Sequence, residues 1–163
     1  MPRTNGPLRI RRYRDGDHDA VWALHNLALD DADAHGGNGP WDEDLHQITA
    51  VYIAERGEFL VGLLDGEIVA IGGLRRAGPG KAEIKRMRVA PHFQRRGFGR
   101  RILERLEQRA RELGYEMLGL DTTVGQTAAQ ALYRAYGYRE IGRTRFGRFD
   151  VILFEKRISS RPS

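Results

Sequence analysis

The spacing of apolar side chains separates short strands from amphipathic helices along this chain. Apolar and polar positions alternate in a strand, whereas in a helix the apolar positions recur about every three or four residues. Alternation predicts strands at 8–13, 58–64, 67–74, 82–89, 115–121 and 149–156, and a further strand that starts at 138–141 and is separated from the last one by Gly147. Helical spacing predicts helices that begin near Asp17, Asp42, Gly97 and Gln126.

The order of these elements, βααβββαβαββ, predicts how the layers are arranged. Asp65-Gly66 lies between the second and third strands and is a strong signal for a tight hairpin. A strand, a helix and another strand follow in the second half, which is the pattern of a parallel crossover. We therefore predict a mixed α/β layer with antiparallel hairpins in front and a βαβ crossover behind. It would form a single domain over residues 1–163, with a core at about 8–158.

The fourth predicted strand has a break in its alternation. Ile84 is apolar at an even position, while Met87 and Val89 are apolar at odd ones, so one face of a regular strand cannot bury all three. A β-bulge near 85–87 restores the phase and turns the strand away from its next neighbour. Such a splay exposes backbone groups to which an amide-bearing ligand can add like a strand. The alternative is a regular strand buried on both faces.

A glycine-containing loop connects this strand to the third helix. Gly97 and Gly99 lack side chains where an anion must approach closely, and the free N–H groups of a helix start point toward it. A dinucleotide-binding fingerprint needs a third glycine where Ile102 stands, and a P-loop needs Gly-Lys-Ser or Gly-Lys-Thr, so neither fits. The loop is therefore predicted to hold a pyrophosphate group. Its positive charge comes from Arg95, Arg96 and Arg100.

Composition narrows the class of protein. The chain of 163 residues has no cysteine, which excludes disulfides, thiolate metal sites and a cysteine nucleophile, and which suits a reducing compartment. No apolar run has the length of a signal peptide or a membrane span, so we expect a soluble cytoplasmic protein without membrane association. The histidines show no metal-binding spacing with carboxylates, so no metal is expected.

The net charge of +5 is unevenly distributed. From Arg75 to Arg111 there are 13 Lys or Arg residues against 3 acids, whereas the segment from Asp15 to Asp44 is rich in acids. The basic segment predicts an anionic partner and the acidic segment a cationic one. Nucleic acid is the weaker candidate, because the basic segment offers only Phe93 and Phe98 for stacking against bases.

Two motifs resemble those of the GNAT superfamily of N-acetyltransferases. Residues 83–89, Glu-Ile-Lys-Arg-Met-Arg-Val, and residues 94–99, Gln-Arg-Arg-Gly-Phe-Gly, resemble its central cofactor-binding motif. Residues 132–138, Leu-Tyr-Arg-Ala-Tyr-Gly-Tyr, resemble the motif that follows. The resemblance implies the GNAT fold, an α/β (α+β) fold. Its mixed, mostly antiparallel sheet has six to seven strands, splays between the fourth and fifth, and is flanked by about four helices.

The resemblance also implies acetyl-CoA as cosubstrate, without a metal. Backbone groups of residues 87–89 would pair with the pantetheine arm, and backbone amides of residues 94–100 would hold the pyrophosphate. Gln126 stands where many relatives carry an asparagine that contacts the pantetheine. The implied cofactor-binding residues are Met87, Arg88, Val89, Gln94, Arg95, Arg96, Gly97, Phe98, Gly99, Arg100, Gln126 and Tyr133.

Direct transfer to an amine requires proton acceptors and donors. An amine of pKa about 10 must lose a proton before it attacks, which costs about 4 kcal/mol at pH 7. A carboxylate can accept this proton directly or through a water molecule. The resemblance implies Glu83 as that base and Tyr133 as the acid beside the leaving sulfur, with the Met87 N–H donating to the thioester oxygen. The alternatives are an ion pair of Glu83 with Lys85 or Arg86, and a purely structural Tyr133.

The resemblance places the acceptor site against the first two helices and their loop. Asp30, Asp31, Asp33 and Trp41 lie there, and the carboxylates predict a cationic small-molecule or peptide amine. The alternatives are acids that only solvate the loop and a tryptophan that anchors it. Relatives often pair through C-terminal strands, which implies a homodimer edge at 146–158. A non-catalytic CoA-binding sensor and a nucleic-acid-binding module remain as alternative functions.

Overall fold

One continuous sheet organises the computed structural model, which describes residues 7–31 and 35–158. Its strands are β1 (Arg9–Arg12), β2 (Glu58–Leu64), β3 (Glu67–Gly78), β4 (Lys81–Val89), β5 (Met117–Thr123), β6 (Arg139–Phe146) and β7 (Phe149–Arg157). Across the sheet they follow the order β1-β2-β3-β4-β5-β7-β6. Neighbouring strands are antiparallel except β4 and β5, which are parallel. The predicted mixed, mostly antiparallel sheet is therefore confirmed.

Three α-helices and several shorter helical segments join these strands. In the described part of the chain the α-helices are α1 (His18–Asp31), α2 (Phe98–Glu112) and α3 (Thr127–Ala135). The helix predicted from Asp42 is instead a 3-10 segment, Pro40–His46, and a π-helical turn, Thr49–Ile53. Asp42 is buried inside the 3-10 segment, where its Oδ2 accepts a hydrogen bond from the Gly39 N–H. Within the same ranges no helix has the length and apolarity that crossing a membrane requires.

Two apolar clusters cover opposite faces of the sheet. The alternation along β2 shows this, since Leu60 belongs to the cluster with α2, whereas Phe59 and Val61 belong to the cluster with α1. Helix α2 lies directly on the backbone of β3, because a Cβ atom added at Gly72 would come within 2.6 Å of Ile102 Cγ2. The face of α2 toward the sheet is fully buried at Ile102, Leu103, Leu106 and Ala110.

The tight hairpin predicted between the second and third strands is confirmed. Asp65 and Gly66 have φ values of 51° and 84°, the left-handed pair that a type I′ turn requires. The twist of this turn matches the twist of the two strands it joins, so β2 and β3 pair along nearly their whole shared length.

Strand β4 contains the predicted bulge. Between the pairs Gly73 with Lys85 and Ile71 with Arg88, β4 has one more residue than β3. Arg86 accommodates the extra residue with a φ of 60°, in the left-handed region. Within the described ranges β4 pairs with β5 only over residues 81–83, after which the strands diverge. The bulge and the splay are confirmed, and the alternative of a regular strand is wrong.

Strand β6 forms one edge of the sheet, and β7 lies between β5 and β6. Most of the dimer edge predicted at 146–158 is β7, so that segment is not a free edge. Strand β6 begins within the predicted start at 138–141 and ends just before Gly147, as predicted, although its side chains are mostly exposed. The homodimer stays a prediction, and the edge open to a second copy on this side is β6.

Candidate active site

The divergence of β4 and β5 opens a cleft of about 710 Å³. The predicted residues that it brings together are Met87, Arg88, Gln126, Tyr133 and Trp41. The rest of its wall comes from α1 and the following loop (His25, Leu29, 35–37 and Asp42), from β4 and β5 (84–86 and 121–123), from Ala129 of α3, and from the β6–β7 hairpin (Thr144, 146–149, Val151 and Leu153).

The loop that follows β4 has the backbone geometry of an anion cradle. Arg95 and Gly97 have positive φ values of 64° and 80°, and such local alternation turns successive N–H groups toward one side. Helix α2 then begins at Phe98 with no acidic residue in its first turn, so its free N–H groups and its dipole favour an anion. A Cβ atom at Gly99 would lie 3.5 Å from Val89 Cγ2, which places this glycine against the end of β4. The geometry fits the predicted pyrophosphate site.

The side chains of this loop have different surroundings. Gln94 donates from Nε2 to the Val89 carbonyl at 3.2 Å and so ties the loop to the end of β4. The Arg96 guanidinium lies 5.2 Å from the centre of the Phe93 ring. Phe98 packs against the core, so only its backbone is available to a ligand. Arg95 and Arg100 are exposed and add positive charge at the rim.

Tyr133 is both a core residue and part of the cleft wall. It is 5% exposed and packs edge-on against Tyr138, with the ring centroids 5.9 Å apart. Its hydroxyl has no hydrogen-bond partner within the described ranges. Burial raises the pKa of Tyr133 to about 12, although the positive charge of Arg88 acts in the opposite direction. The phenol is therefore protonated at neutral pH, which is the state a proton donor needs.

Gln126 is held at the end of β5 by its side-chain oxygen. Oε1 accepts hydrogen bonds from the hydroxyls of Thr122 and Thr123, at 3.1 and 3.0 Å. These contacts define the orientation of the amide. Its Nε2 has no partner among the described residues, and the side chain lines the cleft. Glutamine at this position therefore supplies a free donor to a ligand.

An ion-pair network that the sequence did not reveal joins the bulge to the 3-10 segment. Arg86 donates to both carboxylate oxygens of Asp44, at 3.0 Å from Nε and 2.6 Å from Nη2. Tyr52 donates its hydroxyl to the same carboxylate at 2.6 Å. Burial is the largest single influence and opposes the charged form of Asp44, yet the hydrogen bonds and charge of Arg86, with smaller contributions from Tyr52 and Lys85, together lower the pKa of Asp44. Arg86 is thus engaged with Asp44 and not with Glu83.

His25 is buried beside this network. Its Nε2 lies 3.3 Å from Asp42 Oδ1, without the alignment of a hydrogen bond. Burial lowers the pKa of His25 to about 4, and the positive charges of Arg88 and Arg86 act in the same direction. The imidazole is therefore neutral at pH 7. Among the described residues no group of three His, Asp or Glu side chains is placed to hold a metal ion.

Several charged side chains of the cleft were not predicted as functional, and two of them lie close enough to Tyr133 to affect its pKa. The side chains of Arg88 and Asp121 both line it, and each acts on the pKa of Tyr133. The sequence did contain a signal for Asp121, because this carboxylate follows the apolar residues Leu118 and Leu120 at the open end of β5. For Arg88 only the backbone had been assigned a role.

Glu83, the predicted base, lies outside the lining of the cleft. It is half-buried in the part of β4 that still pairs with β5, opposite Gly119. The splay begins after this residue, so Glu83 marks the closed end of the gap between the strands. Glu83 could therefore reach an acceptor in the cleft only through a bridging water molecule.

The residues predicted for the acceptor site are separated by the structure. Asp30 and Asp31 are exposed at the end of α1 and do not line the cleft, and Asp33 lies outside the described residues. Trp41 does line the cleft and is 51% exposed. Its Nε1 donates to the Gly37 carbonyl at 3.1 Å, so it also anchors the loop.

The sequence comparison identifies relatives over most of this chain. The sequence model of the acetyltransferase (GNAT) family matches residues 21–138. An IAA acetyltransferase of Azospirillum brasilense is 40% identical over 85 residues, which are 52% of this chain and 56% of that protein. The chain spans about half of the length of the curated relatives it matches.

Solved structures share the fold. An acetyltransferase of the GNAT family from Staphylococcus aureus has a TM-score of 0.85 at 19% identity, over 93% of this chain and 99% of that one. A Salmonella typhimurium protein whose structure was solved with acetyl-CoA has a TM-score of 0.77 at 21% identity, over 96% of both chains. Together with the family match, this likeness confirms the resemblance seen in the two motifs. The chain belongs to the acetyltransferase (GNAT) family.

Proposed function

We propose that this chain is an acetyl-CoA-dependent N-acetyltransferase that moves the acetyl group directly to a primary amine of a small molecule or peptide. The observation that carries the proposal is the continuity of β4, whose bulged end lines the cleft and whose following loop forms the anion cradle. A ligand with a pyrophosphate and an amide-bearing arm suits these two features. Membership of the family supports the same activity. We assign it to the cytoplasm, with which the cysteine-free composition is consistent.

Acetyl-CoA would be held along β4 and at the start of α2. The backbone N–H groups of residues 94–100 would bind its pyrophosphate. Beyond Glu83 the side of β4 that faces β5 has no strand partner within the described ranges, so the backbone of residues 87–89 would pair with the pantetheine arm. The free Nε2 of Gln126 would donate to the same arm from the opposite wall.

Two carboxylates are candidates for the base that accepts the proton of the amine. Glu83 is the one implied by the family resemblance, and from its position at the closed end of the splay it would act through a water molecule. Asp121 lines the cleft itself and is the second candidate. Either carboxylate could accept the proton of the amine and so offset the cost of deprotonating it.

Tyr133 and the backbone of the bulge would serve the other two reacting atoms. The protonated Tyr133 hydroxyl would donate to the leaving sulfur, and the Met87 N–H would donate to the thioester oxygen as negative charge builds there. The transfer then needs no covalent link between the acetyl group and the protein.

Thermal melting with acetyl-CoA, followed by a panel of amines with a thiol readout, tests the proposal. A ligand at 100 times its Kd adds about 2.7 kcal/mol to the folded state, which is a shift of several degrees. We expect this shift and release of CoA with at least one amine. A shift without turnover on any amine would indicate a CoA-binding sensor. No shift, together with binding to DNA or RNA, would indicate the nucleic-acid-binding alternative.

The two candidate bases are separated by Glu83→Gln and Asp121→Asn. Loss of a general base lowers kcat/KM by about 100-fold or more and removes the acidic limb of its pH profile. We expect one variant to show both effects and the other to keep the wild-type profile. If both keep it, neither carboxylate is the base.

A further inference from the structure

Arg88 is a cation of the cleft that has no ion-pair partner among the described residues. Arg88 enters the cleft from the bulged end of β4. Its Nη1 donates to the Met87 carbonyl at 2.9 Å, but its Nε is enclosed and has no partner. No carboxylate of the described ranges is within ion-pair distance of this guanidinium. Arg86, two positions earlier, differs in this respect because it donates two hydrogen bonds to Asp44.

An enclosed, unpaired guanidinium is unfavourable for a folded protein. Removing the charge from water weakens its solvation, and within the described chain only the hydrogen bond to the Met87 carbonyl and the charge of Asp121, which lies beyond ion-pair distance, offset this loss. Burial lowers the pKa of Arg88 to about 10, and the charge of Arg86 acts in the same direction. The group is nevertheless charged at neutral pH. A bound anion would relieve this cost, which makes Arg88 a recognition group.

The remaining charges of the cleft also favour an anion. Arg86 forms ion pairs with Asp44 and Asp42, so the charges of Arg86 and Asp42 are already compensated within the protein. The other charged side chains of the lining are three cations, Lys85, Arg88 and Arg148, and one carboxylate, Asp121. Arg148 donates to the His35 carbonyl and lies over the Phe149 ring at 4.7 Å, so it too is held without a carboxylate. A cationic acceptor, as the loop aspartates had suggested, suits this lining less well.

We propose that the acceptor carries a carboxylate close to its amine and that the Arg88 guanidinium binds this carboxylate. The substrate class is then an amino acid or a related aminocarboxylate. This inference rests on the N-acetyltransferase function proposed above. The planar guanidinium can hold both oxygens of a carboxylate at once, which also orients the molecule that bears it. Because Arg88 and Tyr133 line the same cleft, such an acceptor would present its amine near the reacting thioester.

Acetyl-CoA does not supply the missing anion to Arg88. Its phosphate groups belong to the cradle at residues 94–100, none of which lines the cleft. A peptide N-terminus does not supply it either, because its carboxylate lies at the far end of the chain. The free carboxylate therefore distinguishes the proposed class from peptide acceptors and from simple amines.

The test compares each standard L-amino acid with its own carboxamide as acceptor. The readout is the ratio of the two kcat/KM values, in which any effect on acetyl-CoA binding or on the shared chemical step cancels. We expect wild type to prefer at least one amino acid over its amide by at least about 30-fold, as for a buried charge pair. The α-amine of an amino acid carboxamide is less basic than that of the free amino acid, so more of it is deprotonated at neutral pH. This difference alone would favour the carboxamide, which is opposite to the expected preference.

Variants assign the preference to Arg88. Arg88→Gln should bring the ratio close to 1. Arg88→Lys keeps the positive charge but cannot hold both carboxylate oxygens at once, so it should retain part of the preference. Lys85→Gln and Arg148→Gln should keep most of the preference. If these two reduce the ratio as much as Arg88→Gln, the carboxylate is recognised by the general field of the cleft and the assignment to Arg88 is overturned.

The stability of the free protein provides a readout that is independent of turnover. If Arg88 is unpaired in the absence of substrate, Arg88→Met should leave the melting temperature unchanged or raise it. A marked fall would show that another group already neutralises Arg88 in the free protein, and would overturn the inference.

The failures of the two proposals are distinguishable. Acetylation of carboxamides or simple amines as fast as amino acids would overturn the carboxylate inference and leave the proposed function standing. Binding of acetyl-CoA with no amino acid accepted would also overturn the inference alone. The absence of both acetyl-CoA binding and acetylation would overturn both.

Discussion

Arg86 and Asp44 are joined by two hydrogen bonds that connect the bulge of β4 to the wall of the cleft. The Nη2–Oδ1 distance is 2.6 Å and the Nε–Oδ2 distance is 3.0 Å, so the two planar groups meet side by side. Arg86 also donates to the Trp41 carbonyl at 2.8 Å. The residue that absorbs the bulge thus also positions the 3-10 segment, and the shape of the cleft depends on this contact.

Arg86→Met should destabilise the protein strongly. It leaves the buried carboxylates of Asp44 and Asp42 without their counter-charge, and breaking a buried pair in this way costs about 3–5 kcal/mol. Urea denaturation would measure the change in the free energy of unfolding. Arg143 makes a two-point contact with Glu140 on the exposed edge strand, so Arg143→Met is the matched control and should change stability little. Equal losses in both variants would contradict the role assigned to Arg86.

The bulge itself was predictable, whereas its anchor was not. The phase change between Ile84 and Met87 is a local signal, because a strand shows its two faces within a few residues. The partner of Arg86 lies 42 positions away, in a segment whose local pattern predicted an ordinary helix. Which of several acids a buried arginine meets depends on tertiary packing and leaves no trace in the spacing of residues.

The same distinction applies to the candidate site. The anion cradle is one continuous segment with glycines at fixed positions, so its geometry follows from the local sequence. The cleft is assembled from elements distant along the chain, and the sequence did not show that Asp30 and Asp31 would lie outside it. Nor did it show that the side chain of Arg88 would remain unpaired inside it.

Gly99→Glu should abolish acetyl-CoA binding without unfolding the protein. A side chain at Gly99 meets only ordinary contacts, and an acid in the first turn of a helix is favourable for folding. The same charge would repel the pyrophosphate by several kcal/mol, so affinity should fall by at least about 100-fold. The measurement is the melting shift on addition of acetyl-CoA.

Ala20→Glu is the matched control for this variant. Ala20 is exposed in the first turn of α1, so the substitution adds the same charge at an equivalent helix position away from the cradle. Its melting shift should equal that of wild type. A full shift in Gly99→Glu would mean that the pyrophosphate does not bind at the start of α2.

Tyr133→Phe should lower kcat by about 100-fold or more while acetyl-CoA still binds. The hydroxyl has no partner within the described ranges, so its removal leaves the packing of the ring against Tyr138 intact. Tyr138→Phe is the control, because that hydroxyl donates to the buried Glu107 at 2.8 Å and lies outside the cleft lining. The control should lose stability and keep kcat. A wild-type kcat in Tyr133→Phe would exclude it as the proton donor.

The stability of the protein should fall as the pH is lowered from about 6.5 to about 4, and His25 should account for part of this fall. Burial lowers the pKa of His25 to about 4 in the folded state, whereas the unfolded chain titrates near the ordinary value of 6.5. Between these values the unfolded state binds more protons, so its free energy drops relative to the folded state as pH falls. The shift corresponds to about 3 kcal/mol, fully present above pH 6.5 and lost on approaching pH 4.

A comparison with His25→Gln isolates this contribution, since glutamine is polar, of similar size and does not titrate. The charged groups that act on the pKa of His25 are Arg88, Arg86 and Asp42, and all three are present in both proteins. Urea denaturation at half-unit pH intervals should give a steep dependence in wild type between pH 6.5 and 4 and a flatter one in the variant. Below pH 4 the two curves should run parallel, because the paired carboxylates, Asp44 among them, then titrate in both proteins. Identical slopes across the whole range would show that His25 is solvated and titrates normally in the folded protein.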